Sequence, residues 1–181
     1  MSPFVINRKV RLRIGFLFGI AYLVFARPTA GGLLLGLPVA AAGLGIRAWA
    51  AGHIVKGEQL TTTGPYAHTR NPLYFGSFLI AAGFALASHW SLLLVVIALF
   101  AFIYGPTMEQ ERTEIGARFP EDFARYEANV PPFAPRLTPW RGQTGDESFS
   151  FSLYLRQREW QAGLAFAAAC AWLIARSRLG F

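Results

Sequence analysis

The stretch LYFGSFLIAAGFALAS-HW-SLLLVVIALFAFIYGP, residues 73–106, decides the fold. It holds no Asp, Glu, Lys or Arg, and only His89 and Trp90 separate its apolar runs, Leu73 to Ser88 and Ser91 to Pro106. Two polar residues reverse a chain between helices but leave no length for a soluble connection. The stretch therefore predicts a tight helical hairpin in hydrocarbon, since lipid leaves a spanning chain little choice but a helix.

Three more apolar stretches flank the hairpin: about Ile14 to Ala26, Gly31 to Val55, and Trp160 to Ala175. The second is long enough for roughly 30 Å of hydrocarbon. Its Gly32, Gly36, Ala40, Gly43, Gly45 and Gly52 suit close helix packing. Ile14 to Ala26 follows Arg8, Lys9, Arg11 and Arg13 and has the outline of a signal peptide, with a weak cleavage pattern at Val24-Phe25-Ala26. Arg27-Pro28 is a poor context for cleavage, so the stretch reads as a short first membrane helix extended by snorkelling arginines.

Composition agrees. Of 181 residues, 54% are hydrophobic and only 15% charged, with mean hydropathy +0.35. A soluble domain of this size cannot bury so much apolar material. One cysteine, Cys170, rules out a disulfide scaffold, and the three histidines and this cysteine show no zinc spacing. The expectation is an all-α integral membrane protein, a single domain over 1–181, with about five transmembrane helices and a cytoplasmic helical cap. Residues 140–181 are expected to form a linker and an additional C-terminal helix.

Net charge is +7, yet the basic residues flank the apolar segments and make no continuous face for nucleic acid. With the N-terminus inside, 13 Lys and Arg fall on the cytoplasmic side against 3 outside (Arg27, Arg176 and Arg178), leaving Arg47 within a helix. A multi-pass protein, in the cytoplasmic membrane if prokaryotic, follows. The inner side then carries two long segments, Lys56 to Pro72 and Thr107 to about Gln157. In the latter, Phe119, Phe123, Tyr126 and Val130 recur on one helical face. Pro120, Glu121 and Asp122 suit that helix's first turn, and Pro131-Pro132 ends it. Glu109, Glu114 and Glu127 are expected to be solvated or to pair along helix faces with Arg112, Arg118 and Arg125. Arg141 to Ser148 reads as a polar linker.

Chemistry concentrates in GPYAHTRNPLYFG, Gly64 to Gly76. Gly64-Pro65 makes a turn, Asn71 suits an N-cap and Pro72 a first helical residue. The helix start offers free backbone N–H groups to an anion. An imidazole, a guanidinium and two phenols surround it. By themselves these residues equally suit capping and interfacial anchoring.

This string resembles the Gly-x-Tyr-x-x-x-Arg-(His or Asn)-Pro-x-Tyr-x-Gly stretch of the isoprenylcysteine carboxyl methyltransferase family, itself related to membrane phospholipid N-methyltransferases. A second block, Glu111-Arg112, Phe119 to Phe123, Tyr126, Val130-Pro131 and Phe133-Ala134-Pro135, is similar to that family's second motif. The likeness covers about 33–137. Asn71, Arg112 and Pro120 stand where many members have His, Glu and Gly.

The resemblance implies S-adenosylmethionine as methyl donor and a lipid-like or prenylated acceptor, methylated on a carboxyl or an amine. It implies Gly64, Tyr66, His68, Asn71, Pro72, Tyr74, Glu111 and Tyr126 as donor-binding residues. Arg70, His68 and Glu111 are then the catalytic candidates: Arg70 to orient a carboxylate, His68 as base for an amine, and Glu111 to hold the donor's ammonium or ribose. Partners are expected to be membrane lipids or a lipidated acceptor, with no nucleic acid and no metal. Two rival readings are a nicotinamide-dependent membrane reductase of sterol-reductase type and a non-catalytic membrane scaffold.

Overall fold

The computed structural model describes residues 8–54, 59–142 and 148–179. Helices form on all five apolar stretches, and the described residues contain no strand. The helices are α1 (Arg8–Phe25), α2 (Ala30–Ala51), α3 (Pro72–Ser88), α4 (Leu92–Arg118), α5 (Pro120–Asn129), α6 (Phe151–Arg156) and α7 (Trp160–Leu179). Three of them, α2, α4 and α7, are long and apolar enough to cross a membrane. Length by itself does not establish the expected five spans, since the apolar part of α1 (Arg13–Phe25) and α3 are shorter. At 17 residues α3 covers about 25 Å. Lys56 and most of the 141–148 linker lie outside the described residues.

Local chemistry accounts for the helix starts. The Thr29 hydroxyl caps α2 by accepting the Gly32 N–H at 3.0 Å, and Pro72 and Pro120 open α3 and α5 where no N–H is needed. Asn71 departs from expectation. Its side chain does not cap α3 and instead donates to the Pro132 carbonyl at 2.8 Å.

The antiparallel pair α2–α3 is the centre of the bundle, and small residues make it. A Cβ on Gly43 would lie 2.5 Å from the Gly76 carbonyl oxygen, and one on Gly83 would lie 2.5 Å from the Ala40 nitrogen. Backbones therefore touch without intervening side chains, which maximises dispersion contact where lipid offers no hydrophobic drive. Two of the expected packing glycines serve otherwise: Gly45 faces open space, and Gly52 lies under the Phe149 ring.

The fourth apolar run does not stop at Pro106. It continues as one helix to Arg118, because a π turn at Phe100–Tyr104 precedes the proline. There the Gly105 N–H reaches back five residues to the Phe100 carbonyl. Proline lacks an N–H and crowds the carbonyl four residues earlier. The wider turn accommodates both faults. The expected separate cap thus begins as a polar extension of α4. Beyond it, α5 forms on the expected face, burying Phe123, Tyr126 and Val130 against Leu60, Phe119 and Trp140.

Candidate active site

A cavity of about 1200 Å³ opens where the C-terminal end of α2, the start of α3, the polar half of α4, and α5 converge. Six expected site residues line it: Tyr66, Arg70, Asn71, Tyr74, Glu111 and Tyr126. The two sequence blocks, about 40 residues apart, meet because residues 131–140 run back along the 66–71 loop and strap it to α5. The Arg70 N–H donates to the Pro131 carbonyl (2.9 Å), the Thr69 hydroxyl to Phe133 (2.9 Å), and the Trp140 N–H to Ala67 (2.9 Å). From α5, the Tyr126 hydroxyl donates to the Tyr66 carbonyl at 2.7 Å.

Three expected residues are outside the lining. The His68 ring turns onto this strap, its Nδ1 2.8 Å from the Arg136 carbonyl oxygen, so it does not face the cavity. Pro72 is buried at the head of α3. Gly64 adopts φ +57 at the turn, and a Cβ there would lie 2.6 Å from the His53 ring. Both the left-handed backbone and the close approach demand glycine.

Within the cavity, Glu111 accepts the Tyr74 hydroxyl at 2.7 Å, and no guanidinium among the described residues pairs with it. The Tyr74 ring lies 5.5 Å from that of Tyr104, which stacks on Phe100 at 4.5 Å. Phe100 and Tyr104 are the two ends of the π turn, which presents the Tyr104 ring to the cavity. Burial pushes the Tyr66 phenol well above its ordinary pKa, with the Tyr126, Glu111 and Glu159 charges adding to it. Tyr66 therefore keeps its proton and remains a donor. Its Oη and the Arg70 Nε are buried without a hydrogen-bond partner among the described residues.

Glu127 is misread from sequence. It accepts from both Arg70 and Arg112, joining the loop, α4 and α5, and it is neither merely solvated nor paired only along its own helix. Hydrogen bonds from Arg112 first, then Arg70, hold its carboxyl below the usual range. A depressed folded pKa gives stabilisation that is complete above the unfolded value and lost as pH falls through the folded one. Hydrogen-exchange protection of α5, taken relative to intrinsic exchange at each pH, should accordingly be unchanged from neutral pH down to about 5 and fall below about 4.5. Glu127→Gln should remove much of that acid transition; an unaltered transition would show that other carboxylates anchor α5.

Sequence reading placed Arg47 within a helix without giving it a role, and it assigned Glu159 nothing. The two form a bidentate pair, with Nε to Oε2 at 3.1 Å and Nη2 to Oε1 at 2.6 Å, at the cavity wall. A lone arginine in an apolar stretch was the available signal. No local pattern points to its partner.

Fold and cavity together define a helical protein, with helices long and apolar enough to cross a membrane and a cavity carrying charged and phenolic side chains at one end of the bundle. Its segment 30–114, from α2 into the polar half of α4, is similar to the phospholipid methyltransferase family. That segment contains Arg47, Tyr66, Arg70, Tyr74 and Glu111 but neither Glu127 nor Glu159. The chain is 35% identical over 114 residues to the cobalt-zinc-cadmium resistance protein CzcN of Cupriavidus metallidurans, covering 61% of this chain and 51% of that one. It is 34% identical over 114 residues to the nickel-cobalt-cadmium resistance protein NccN of Alcaligenes xylosoxydans xylosoxydans, covering 61% and 52%. The chain thus spans about half the length of these curated relatives. No solved structure matches. Among the described residues no group of three His, Cys, Asp or Glu side chains is placed to hold a metal ion.

Proposed function

We propose that this protein is an S-adenosylmethionine-dependent methyltransferase that works at the cytoplasmic face of a membrane on a lipid-like acceptor. The observation that carries the reading is the donor set of the cavity, which lies within the segment similar to phospholipid methyltransferases: a Glu111 carboxylate that no guanidinium among the described residues pairs with, in one cavity with the unpartnered Tyr66 Oη and Arg70 Nε. These fit the donor's parts. Glu111 would hold its ammonium or ribose hydroxyls, Tyr66 and Arg70 its carboxylate, and the Tyr74–Tyr104 rings its cation or adenine face. When bound, S-adenosylmethionine supplies an electrophilic methyl group on a sulfonium. The chain's own task is then to align two reactants and exclude water.

A lipid-like acceptor would need a place for its tail. An apolar cleft of about 740 Å³ runs among α1, α3, α4 and α7 and shares Arg47, Ser77 and Tyr104 with the polar cavity. An amphiphile seated there would lay its head beside the Arg47 and Arg70 guanidiniums. Carboxyl O-methylation suits this lining better than amine methylation, since His68, the expected base, faces the strap. Esterification removes a negative charge from the membrane surface and so weakens its attraction for metal cations, which connects the reading to the resistance named in the relatives.

The test is transfer of labelled methyl to a membrane lipid extract by the purified protein in nanodiscs. Label is expected in a lipid acceptor, in base-labile ester form. Binding and oxidation of NADPH without methyl transfer would favour the reductase. Equal labelling of small water-soluble acids would remove the lipid acceptor.

A further inference from the structure

Glu159 belongs to a part of the chain beyond the family segment, yet its carboxylate reaches the wall of the polar cavity. The turn that delivers it is unusual. Arg158, between α6 and α7, has φ +58, the left-handed region that residues bearing a Cβ seldom occupy. Backbone outliers of this kind persist where the surrounding structure gains from them. Here the turn sets Glu159 on Arg47, with the Glu159 side chain only 13% exposed.

Arg47 is held from two sides. Glu159 takes its Nε and Nη2, while Nη1 donates to the Ser77 hydroxyl and, at 3.3 Å, to the Leu73 carbonyl of α3. The α3 contacts use Nη1 alone and are independent of the two Glu159 bonds. Arg47 and Ser77 line both the polar cavity and the apolar cleft, so the pair stands at their junction. Glu159 immediately precedes α7, the element that can best yield. Among the described residues of α7 only Leu173 is buried, whereas Arg47 is locked in the tight α2–α3 pair.

We propose that Glu159 is a tethered stand-in for the anionic head of an amphiphile. It neutralises Arg47 in the ligand-free protein and is displaced when a carboxylate or phosphate on an alkyl tail arrives from the apolar cleft. One anion replaces another, so the half-buried guanidinium is never left uncompensated, which would be the costly state. A cationic head gains nothing from the exchange. Taking the amphiphile to be the methyl acceptor rests on the function proposed above; the exchange itself does not need methyl transfer.

Equilibrium binding of hexadecanoate, hexadecyl phosphate and hexadecyltrimethylammonium to the full chain in nanodiscs tests this. Glu159→Gln keeps the side chain's size but removes the competing charge. It should bind both anionic probes about tenfold more tightly than the unmodified protein and the cationic probe no more tightly. The ratio between carboxylate and phosphate probes identifies which head the site prefers. Glu159→Asp, which keeps the charge but shortens its reach, should fall between, and it supplies the comparison if the Gln variant does not fold. Arg47→Gln should lose the anionic preference. Equal affinities in all variants, or a cationic probe that binds the unmodified protein and is lost in Glu159→Gln, would overturn the proposal. Probe exchange without methyl transfer would leave it standing and sink only the methyltransferase reading. Methyl transfer without any affinity difference would do the reverse.

Discussion

Replacing Glu111 by Ala is expected to weaken S-adenosylmethionine binding by about 1–3 kcal/mol, roughly five- to 150-fold, while the protein stays folded. The carboxylate accepts the Tyr74 hydroxyl, at 2.7 Å, and no guanidinium among the described residues competes for it. Its charge is therefore available to a cationic ligand. Glu111→Gln keeps an acceptor for Tyr74 and should lose less. Titration calorimetry of the two variants reads the difference, and unchanged affinity in both would remove Glu111 from the donor's site.

The largest structural effect is expected from Gly83→Val. A Cβ at this position meets the Ala40 nitrogen and the Gly36 carbonyl oxygen at 2.5 Å, and both are backbone atoms that cannot swing aside. The α2–α3 pair would have to separate, at a cost of about 1–3 kcal/mol or more for overpacking alone. Separation would also pull Arg47 on α2 from Ser77 on α3. We expect a steep drop in monodisperse yield and in thermal stability. Gly45→Val is the control, because nothing lies within 4 Å of a Cβ there. Comparable losses in both variants would mean that helix propensity, and not interhelix contact, is being measured.

These two glycines show how far the sequence could be read. Both stand in apolar stretches at spacings compatible with packing, yet only one lies at a helix contact. Periodicity tells which residues share a face of one helix; it does not tell which face a neighbour will cover. The same limit applies to charge. Arg112 with Glu109 is a local pair that helix spacing predicts. Arg47 with Glu159, 112 residues apart, and Arg70 with Glu127, 57 apart, follow from no local pattern.

The helices themselves were determined by the sequence alone. In hydrocarbon a backbone must satisfy its own hydrogen bonds, so an apolar run becomes a helix wherever it lies. Its start is then set by residues such as Thr29, Pro72 and Pro120, whose effects reach only one turn. The motif at 64–76 was legible for the same reason, as an ordered string beside a helix start. Tertiary structure alone decided how the strap at 131–140 turns His68 away from the cavity. It decided that a carboxylate from the C-terminal segment meets Arg47. Both depend on contacts between segments distant in the chain: the strap's hydrogen bonds to residues 67–70 for His68, and the approach of the turn before α7 to α2 for Glu159.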